Sequence, residues 1–441
     1  MTAIAHATHS PSWSRRGFLG SVTLGAAGAT GITAAIQPAI QPLIHSPSSA
    51  AELRVGIIGC GGRGTGAGIQ AARASRGVRI TCLADLFADH LDSSAAFLAR
   101  DAGPQFACPA SRRFTGADAW QRLLDSDVDV VVLATHPAAR PAALAAAIAA
   151  GKHVYCEAPA AVDLAGVGLV ATALAEADRR GLVVVGGLAS RHDDRLAAFI
   201  RDLHAEGGLA RHSDGGLARH AEEAGIGRPL HAVAVQHLGL PWVRPAPTHG
   251  ASAADNTLRN WALRNWIAAP ALSGGPLVER HVHAIDRGLW ALGDDCPVAA
   301  LPLEVPAGAV GGTAAGDRVA VDRVAARFVF ADGRTLDALI TRGPEVHSSH
   351  PTLRAEETIQ GLRGRVDLCS VTALSPPGRP PLQVAMDRLI GMIDRSGPRE
   401  PSPSAAALLR STLAAVLGRT AAETGRPVDW PAEYARPLRP V

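Results

Sequence analysis

The stretch LRVGIIGCGGRG at residues 53–64 decides the fold of this chain. Its first half is an apolar run typical of a strand, and the residues after Gly64 are compatible with a helix as far as residue 74. A GxGxxG pattern between a strand and a helix is the arrangement that cradles a diphosphate. Gly59 would make the tight turn, Gly61 would admit the diphosphate, and Gly64 would let the helix pack on the strand.

A second apolar run, residues 78–84, ends at Asp85, 21 residues after Gly64. At about that spacing a carboxylate reaches the ribose 2′-hydroxyl of a dinucleotide. A carboxylate there disfavours a 2′-phosphate, so NAD is favoured, although Arg63 and its neighbouring arginines keep NADP open. A glycine turn in a flavodoxin-like fold without nucleotide is the less favoured alternative. The predicted cofactor-binding residues are Gly59, Cys60, Gly61, Gly62, Arg63, Gly64, Asp85, Thr135 and Glu157.

Strands and helices alternate beyond this point. Residues 129–135 have the composition of a buried strand, residues 141–150 that of a helix, and residues 152–156 that of the next strand. Such alternation with short connections predicts a doubly wound parallel sheet. Thr135 would lie at the carboxyl end of its strand, where ligands bind in sheets of this type.

The composition of the first fifty residues is typical of a targeting segment. SRRGFLG at residues 14–20 is a twin-arginine signature, and the weakly apolar stretch up to residue 36 is too short and too polar to span a membrane comfortably. Residues 1–50 are therefore predicted to be a twin-arginine signal peptide and linker, with small residues at 48–51 as a cleavage zone. The expected partner is the twin-arginine translocation machinery, and the expected location is periplasmic or otherwise exported. A disordered basic N-terminus is the alternative.

Composition excludes several classes of protein. Arginine and lysine total 43 against 40 acidic residues, and this near balance gives no reason to expect a nucleic-acid partner. The six cysteines include no CxxC pair, which argues against both a zinc module and a disulfide scaffold. Lys152 is the single lysine of the chain, so any other cation must be an arginine or a histidine.

Several motifs, in order along the chain, resemble one protein family. GKHVYCEAP at residues 151–159 resembles the GKHVxxEKP signature of the Gfo/Idh/MocA (glucose–fructose oxidoreductase / inositol dehydrogenase) family. LRNW at 263–266 and LSGGPLVERHVHAID at 272–286 are similar to a block of its twin-arginine-exported members, and IQGLRGR at 359–365 resembles a late hairpin. The resemblance extends over nearly all of residues 53–431.

The resemblance implies the overall organisation. The fold class is α/β, with an NAD(P)-binding Rossmann domain at residues 51–175. A C-terminal substrate and oligomerisation domain at residues 176–441 would contain an open, mostly antiparallel sheet, with its last helices packing back on the Rossmann domain. Members often pair through that sheet, so a homo-oligomer is expected.

The resemblance also implies an activity: NAD(P)-dependent oxidation or reduction of a sugar, cyclitol or glycoside hydroxyl. His283 and Glu279 would be the acid/base pair, with Glu279 orienting His283 as it takes the hydroxyl proton. The implied substrate-binding residues are Arg264, Asn265, Trp266, His281 and Asp286. The lysine of the signature is absent, because residue 158 is Ala. His283 would then work alone or with an arginine, or the chemistry would be weakened or lost.

Three alternatives stay open at this point. The chain could use transient oxidation to cleave a glycosidic bond, as an NAD-dependent hydrolase or lyase, or it could be a degenerate binding protein that retains the cofactor pocket. The E-x-H-x-H pattern at residues 279–283 could suit a metal, but no fourth ligand is evident and no metal site is predicted. Two short duplications, at residues 207–222 and 258–266, are interpreted as insertions that lengthen loops.

Overall fold

The structure, a computed structural model, describes residues 52–205, 226–245, 258–304, 322–343, 354–373, 379–393 and 402–434. The predicted signal peptide and the duplication at residues 207–222 lie outside these ranges. No helix of the described ranges is long and apolar enough to cross a membrane.

The first sheet has six parallel strands in the order β3-β2-β1-β4-β5-β6, which is the Rossmann order. Its strands are β1 (Leu53–Ile58), β2 (Val78–Asp85), β3 (Arg113–Thr115), β4 (Val130–Leu133), β5 (His153–Glu157) and β6 (Val184–Gly187). The helices that cover it are α1 (Gly62–Ala74), α2 (Ala88–Asp101), α3 (Ala119–Leu124), α4 (Arg140–Ala149) and α5 (Leu164–Arg179). The predicted parallel sheet is confirmed, and it runs to Gly187, beyond the expected domain end at residue 175.

Sequence explains why these strands lie at the centre of the sheet. β4 is VVVL and is buried along its whole length, and β1 has five of its six residues buried. Strands covered by helices on both faces need such continuous apolar runs, because neither face meets water.

The second sheet has seven strands in the order β12-β11-β7-β10-β9-β8-β13. The strands are β7 (Pro229–Leu238), β8 (Ala299–Pro302), β9 (Asp322–Val329), β10 (Thr335–Arg342), β11 (Arg354–Gly361), β12 (Arg365–Asp367) and β13 (Val428–Asp429). All neighbours are antiparallel except β7 and β10, which run parallel. The predicted mostly antiparallel sheet is therefore confirmed.

Eight helices accompany this sheet in the described ranges. They are α6 (Asp194–His204), α7 (Leu258–Arg264), α8 (Pro270–Ser273), α9 (Gly275–Glu279), α10 (Val282–Ala291), α11 (Leu368–Ala373), α12 (Pro381–Ile393) and α13 (Pro403–Thr424). The first LRNW copy was expected to lengthen a loop, but it lies in α7. The indole of Trp261 donates from Nε1 to Arg244 O at 3.0 Å, which fixes this helix to the preceding segment.

The last two helices connect the two sheets. α12 packs on α1, and α13 packs on α5 and β6 at one side and on β8 and β9 at the other. The approach is close: a Cβ at Gly186 would lie 2.4 Å from Ser404 O, and Gly186 N donates to Ser404 Oγ at 3.1 Å. The C-terminal helices thus pack back on the Rossmann domain and hold both sheets in one unit.

Candidate functional site

The turn after β1 has the geometry that a dinucleotide diphosphate requires. Gly59 has φ +92°, and a Cβ there would lie 2.6 Å from Ala134 O. A Cβ at Gly64 would lie 1.9 Å from Gly59 O, so only glycine lets α1 begin this close to the strand. Gly61 and Gly62 face open space, and α1 begins without a side-chain cap or an acidic residue in its first turn. Its first N–H groups are therefore available to an anion.

Asp85, at the end of β2, turns its carboxylate toward this glycine turn. Oδ2 accepts from Cys60 N at 2.7 Å, and Oδ1 accepts from Phe87 N at 2.9 Å. His90 Nδ1 lies 3.2 Å from the same Oδ1. The carboxylate is thus fixed beside the diphosphate cradle, at the strand end where a ribose would lie. Cys60 supplies its amide here, while its buried thiol has a raised pKa because burial disfavours the thiolate.

The ends of β4 and β5 form the next part of the same edge. Thr135 follows β4, and its Oγ1 is buried without a hydrogen-bond partner. Glu157 ends β5, where its Oε1 accepts from the hydroxyl of Tyr155 at 2.9 Å and lies 3.4 Å from Arg63 Nε. The predicted cofactor residues are therefore brought together along the carboxyl ends of the parallel strands.

Glu279 and His283 lie on either side of the break between α9 and α10. Glu279 is the last residue of α9; burial raises the pKa of its carboxyl, although Arg280, Arg342 and Arg140 oppose the shift. His283 is in the first turn of α10, and burial together with nearby arginines lowers its pKa to about 3. In the described structure no hydrogen bond joins the two side chains, so Glu279 does not orient the imidazole as predicted.

His281 was assigned to the substrate, and the structure corrects this. The residue is fully buried, with Nδ1 3.1 Å from Gln236 Oε1 and Nε2 3.0 Å from Ala234 O on β7. These contacts hold the break between α9 and α10 against β7 of the second sheet. His281 therefore does not share a face with Glu279 and His283, and the described residues contain no group of three metal-ligating side chains.

Asp286 and Asn265 were also assigned to the substrate, and both are structural instead. Asp286 is fully buried and pairs with Arg191 at 2.9 Å, while Ser411 Oγ donates to it at 2.7 Å. Asn265 is buried, and its Oδ1 accepts from Arg244 N at 2.7 Å. The polar atoms of these side chains therefore form hydrogen bonds and ion pairs within the protein.

Arg264 reaches a different place from the one expected. Its guanidinium pairs with Asp89 at 2.8 Å and lies 3.9 Å from the ring centroid of Phe87. Both partners follow β2, so Arg264 lies near Asp85. Trp266 is half-buried in a short 3₁₀ turn after α7.

Two residues of the site were missed as functional candidates. Arg140 begins α4, is 5% exposed, and donates from Nη1 to Pro159 O. His136 precedes it, and burial, with a contribution from Arg140, lowers the pKa of His136 to about 4. Their position directly after a strand that ends at a ligand edge is the sequence signal that could have identified them.

Residues 53–186 match the model of the GFO_IDH_MocA family, described as an oxidoreductase family with an NAD-binding Rossmann fold. The Rossmann sheet described above is thus similar to the NAD-binding domain of that family. No curated protein matches the chain.

Solved structures similar to the whole fold have low identity to it. Myo-inositol 2-dehydrogenase from Lactobacillus plantarum has a TM-score of 0.59 at 17% identity, covering 86% of this chain and 99% of that one. Scyllo-inositol dehydrogenase from Lactobacillus casei, with bound NAD(H) and scyllo-inositol, has 0.56 at 16%, covering 86% and 99%. Aldose-aldose oxidoreductase from Caulobacter crescentus has 0.55 at 18%, covering 86% and 100%. The Rossmann domain is thus followed by a second domain of the same fold as theirs.

Proposed function

We propose that the whole chain is an exported Gfo/Idh/MocA oxidoreductase that uses a nicotinamide cofactor to oxidise or reduce a secondary alcohol of a sugar, cyclitol or glycoside. The observation that carries the proposal is the convergence of His283 and Glu279 on the β5 end of the cofactor site. The same arginines, Arg63 and Arg140, act on the imidazole of His283 and lie against Glu157 and Pro159 respectively.

The residues at the glycine turn suit the cofactor. Gly61, Gly62 and the first turn of α1 would hold the diphosphate, and Asp85 would bind the ribose. The negative charge of Asp85 supports NAD over NADP, because a 2′-phosphate beside a fixed carboxylate would be repelled. When bound, the nicotinamide accepts the hydrogen and both electrons of the carbinol C–H bond, while the O–H proton goes to the protein and a C=O bond forms.

His283 is the group that takes this proton. Its depressed pKa keeps the imidazole neutral at physiological pH, so a ring nitrogen is free to accept a proton. The arginines that lower this pKa also weaken the imidazole as a base, so the proton has to pass on to a second acceptor. Glu279, with a raised pKa and a buried oxygen without a hydrogen-bond partner, is suited to receive it.

Export and assembly complete the proposal. The SRRGFLG motif supports translocation through the twin-arginine pathway to the periplasm or outside the cell. The expected homo-oligomer would use the second sheet, where alternate residues along the first half of β10 are only half-buried. Replacing Arg15 and Arg16 by Lys should keep the protein in the cytoplasm, as measured by cell fractionation; unchanged export would contradict the signal-peptide assignment.

The decisive experiment uses protein purified from the exporting host. Released nucleotide is identified by mass, and the same sample is assayed for nicotinamide reduction on a panel of polyols, sugars and glycosides. Oxidation by the wild type and its loss in His283→Asn are the expected results. A free sugar formed without net reduction would instead support the hydrolase or lyase alternative. Bound nucleotide without any turnover would support the binding-protein alternative.

A further inference from the structure

Removing a proton from a carbinol places negative charge on its oxygen, and a nearby cation stabilises that charge. The single lysine cannot supply it. Lys152 Nζ donates to Ser126 O at 3.1 Å and to Val128 O at 2.8 Å, at the beginning of β5 and not at its ligand-binding end. Any cation at the reacting oxygen must therefore be an arginine or a charged histidine.

The positive charges of four arginines lower the pKa of His283: Arg287, Arg63, Arg280 and Arg140. Three of them are either neutralised or solvated. Arg287 pairs with the buried carboxylate of Glu357. Arg63 and Arg280 have 62% and 55% of their side chains exposed, so water screens their charges.

Arg140 differs from these three in both respects. It is buried, and within the described ranges no carboxylate oxygen lies within 4 Å of its guanidinium. Nη1 donates to Pro159 O, whereas Nε is buried and has no acceptor. An unpaired buried cation is costly, so its retention indicates a partner that the protein itself does not supply.

Other buried polar atoms near Arg140 also lack a hydrogen-bond partner. Thr135 Oγ1, His136 Nδ1 and Glu279 Oε2 are buried polar atoms without a hydrogen-bond partner, like Arg140 Nε. Thr135, His136 and Arg140 lie at the end of β4 or the beginning of α4, whereas Glu279 lies on α9, in the second domain. Buried polar atoms are normally satisfied, so this group of four points to a bound molecule between the two domains.

We propose that Arg140 is a catalytic residue, whose Nε–H donates a hydrogen bond to the substrate oxygen that loses its proton to His283. Arg140 exchanges neither a proton nor electrons in the step; it stabilises the negative charge on that oxygen. The inference rests on the proposed function, since it assigns the cation of that same reaction. It also explains how a neutral Ala158 is tolerated, because Arg140 already binds the carbonyl of the next residue, Pro159.

The test is Arg140→Gln, which can still donate to Pro159 O but has no charge. We expect kcat to fall about 10²-fold on the best polyol of the panel, with the affinity for NAD unchanged. Combining this change with Ala158→Lys should restore at least a tenth of the lost rate, because the new ammonium enters beside Pro159. A purely structural arginine would not be rescued by a lysine from another strand.

Arg180→Gln is the matched control. Arg180 also donates to backbone carbonyls, those of Ile148 and Ala149, but at the far end of α4. The kcat of Arg180→Gln should equal that of the wild type. If Arg140→Gln does not fold, Arg140→Lys keeps the charge on a shorter chain and should retain activity with a new alkaline limb in its pH profile.

A second readout is independent of turnover. Histidine-labelled protein titrated by NMR should show a higher pKa for His283 in Arg140→Gln, because one of its four neighbouring cations is gone, and a lowered value again in the double variant. Wild-type kcat in a folded Arg140→Gln, or a double variant no faster than the single one, would overturn the proposal. Wild-type protein that binds NAD but turns over no polyol would refute the proposed function itself.

Discussion

His281 and His283 are two residues apart, yet their surroundings give them opposite roles. His281 contacts Gln236 and Ala234 with both ring nitrogens, whereas no protein group is hydrogen-bonded to His283 in the described structure. His283→Asn should lower kcat by about 10²- to 10⁴-fold, because it removes the proton acceptor. Its free energy of unfolding should be little changed. Steady-state kinetics and urea unfolding measure the two quantities.

His281→Asn is the paired control and should show the reverse pattern. Removing the ring leaves the carbonyl of Ala234 and the side-chain amide of Gln236 without their partner, which costs about 1–3 kcal/mol for each unsatisfied group. The folded enzyme should keep its kcat. Equal losses of activity in both variants would mean that His281, too, reaches the substrate, as the family resemblance had implied.

At the scale of elements, substitutions in the glycine turn can distinguish an effect on folding from an effect on cofactor binding. Gly61 has φ −70° and faces open space, so Gly61→Ala should fold normally. Its methyl group would occupy the cradle above α1, and the affinity for NAD, measured by calorimetry, should fall. In Gly64→Ala the methyl group would meet Gly59 O, and we expect a loss of about 1–3 kcal/mol in stability. Full NAD affinity in a stable Gly61→Ala would contradict the diphosphate assignment.

The elements of the Rossmann domain could be predicted because their signals are local. The β1 bounds match the apolar run, and the glycine spacing fixes the turn. The site in the second domain depends on a helix break between Glu279 and Val282, which alternating charged and apolar letters do not reveal. The break turns His281 toward β7 and leaves His283 at the site. Repeated LRNW letters likewise suggested a loop, whereas α7 is held by tertiary contacts such as that of Trp261.

At the scale of the whole molecule, a buried ion network joins segments far apart in sequence. Arg191, just after β6, pairs with Asp286 on α10 and with Asp294, and Arg410 on α13 pairs with Asp294 at 2.7 Å. Asp286→Asn should cost about 3–5 kcal/mol, because it leaves buried positive charge uncompensated. The Michaelis constant for the substrate should not change. Asp295→Asn, at an exposed pair with Arg334, should alter stability little, and a raised Michaelis constant in Asp286→Asn would restore its substrate role.

Histidines with lowered pKa values make the stability of the whole molecule depend on pH; burial lowers the pKa of His192, and the shift is large at three others. The pKa values of His136, His281 and His283 are lowered to about 4, 3 and 3, mainly by burial. Between these values and the usual value of about 6.5, the unfolded chain binds protons that the folded chain does not, so stability falls as pH falls. From pH 7.5 to pH 5 the loss should be about 2 kcal/mol for each histidine. The raised pKa of Glu279 has the opposite effect on stability, because near that pKa the folded chain binds a proton that the unfolded chain does not.

Urea unfolding at the two pH values measures this loss. His281→Asn removes one of the three groups without removing the proton acceptor, so the difference between pH 7.5 and pH 5 should shrink by about 2 kcal/mol, although the variant is less stable at both. The comparison separates the protonation effect from the lost hydrogen bonds, because only the former varies with pH. A wild-type stability that is flat over this interval would mean that these histidines bind protons equally well in the folded and unfolded chains, which would contradict their lowered pKa values.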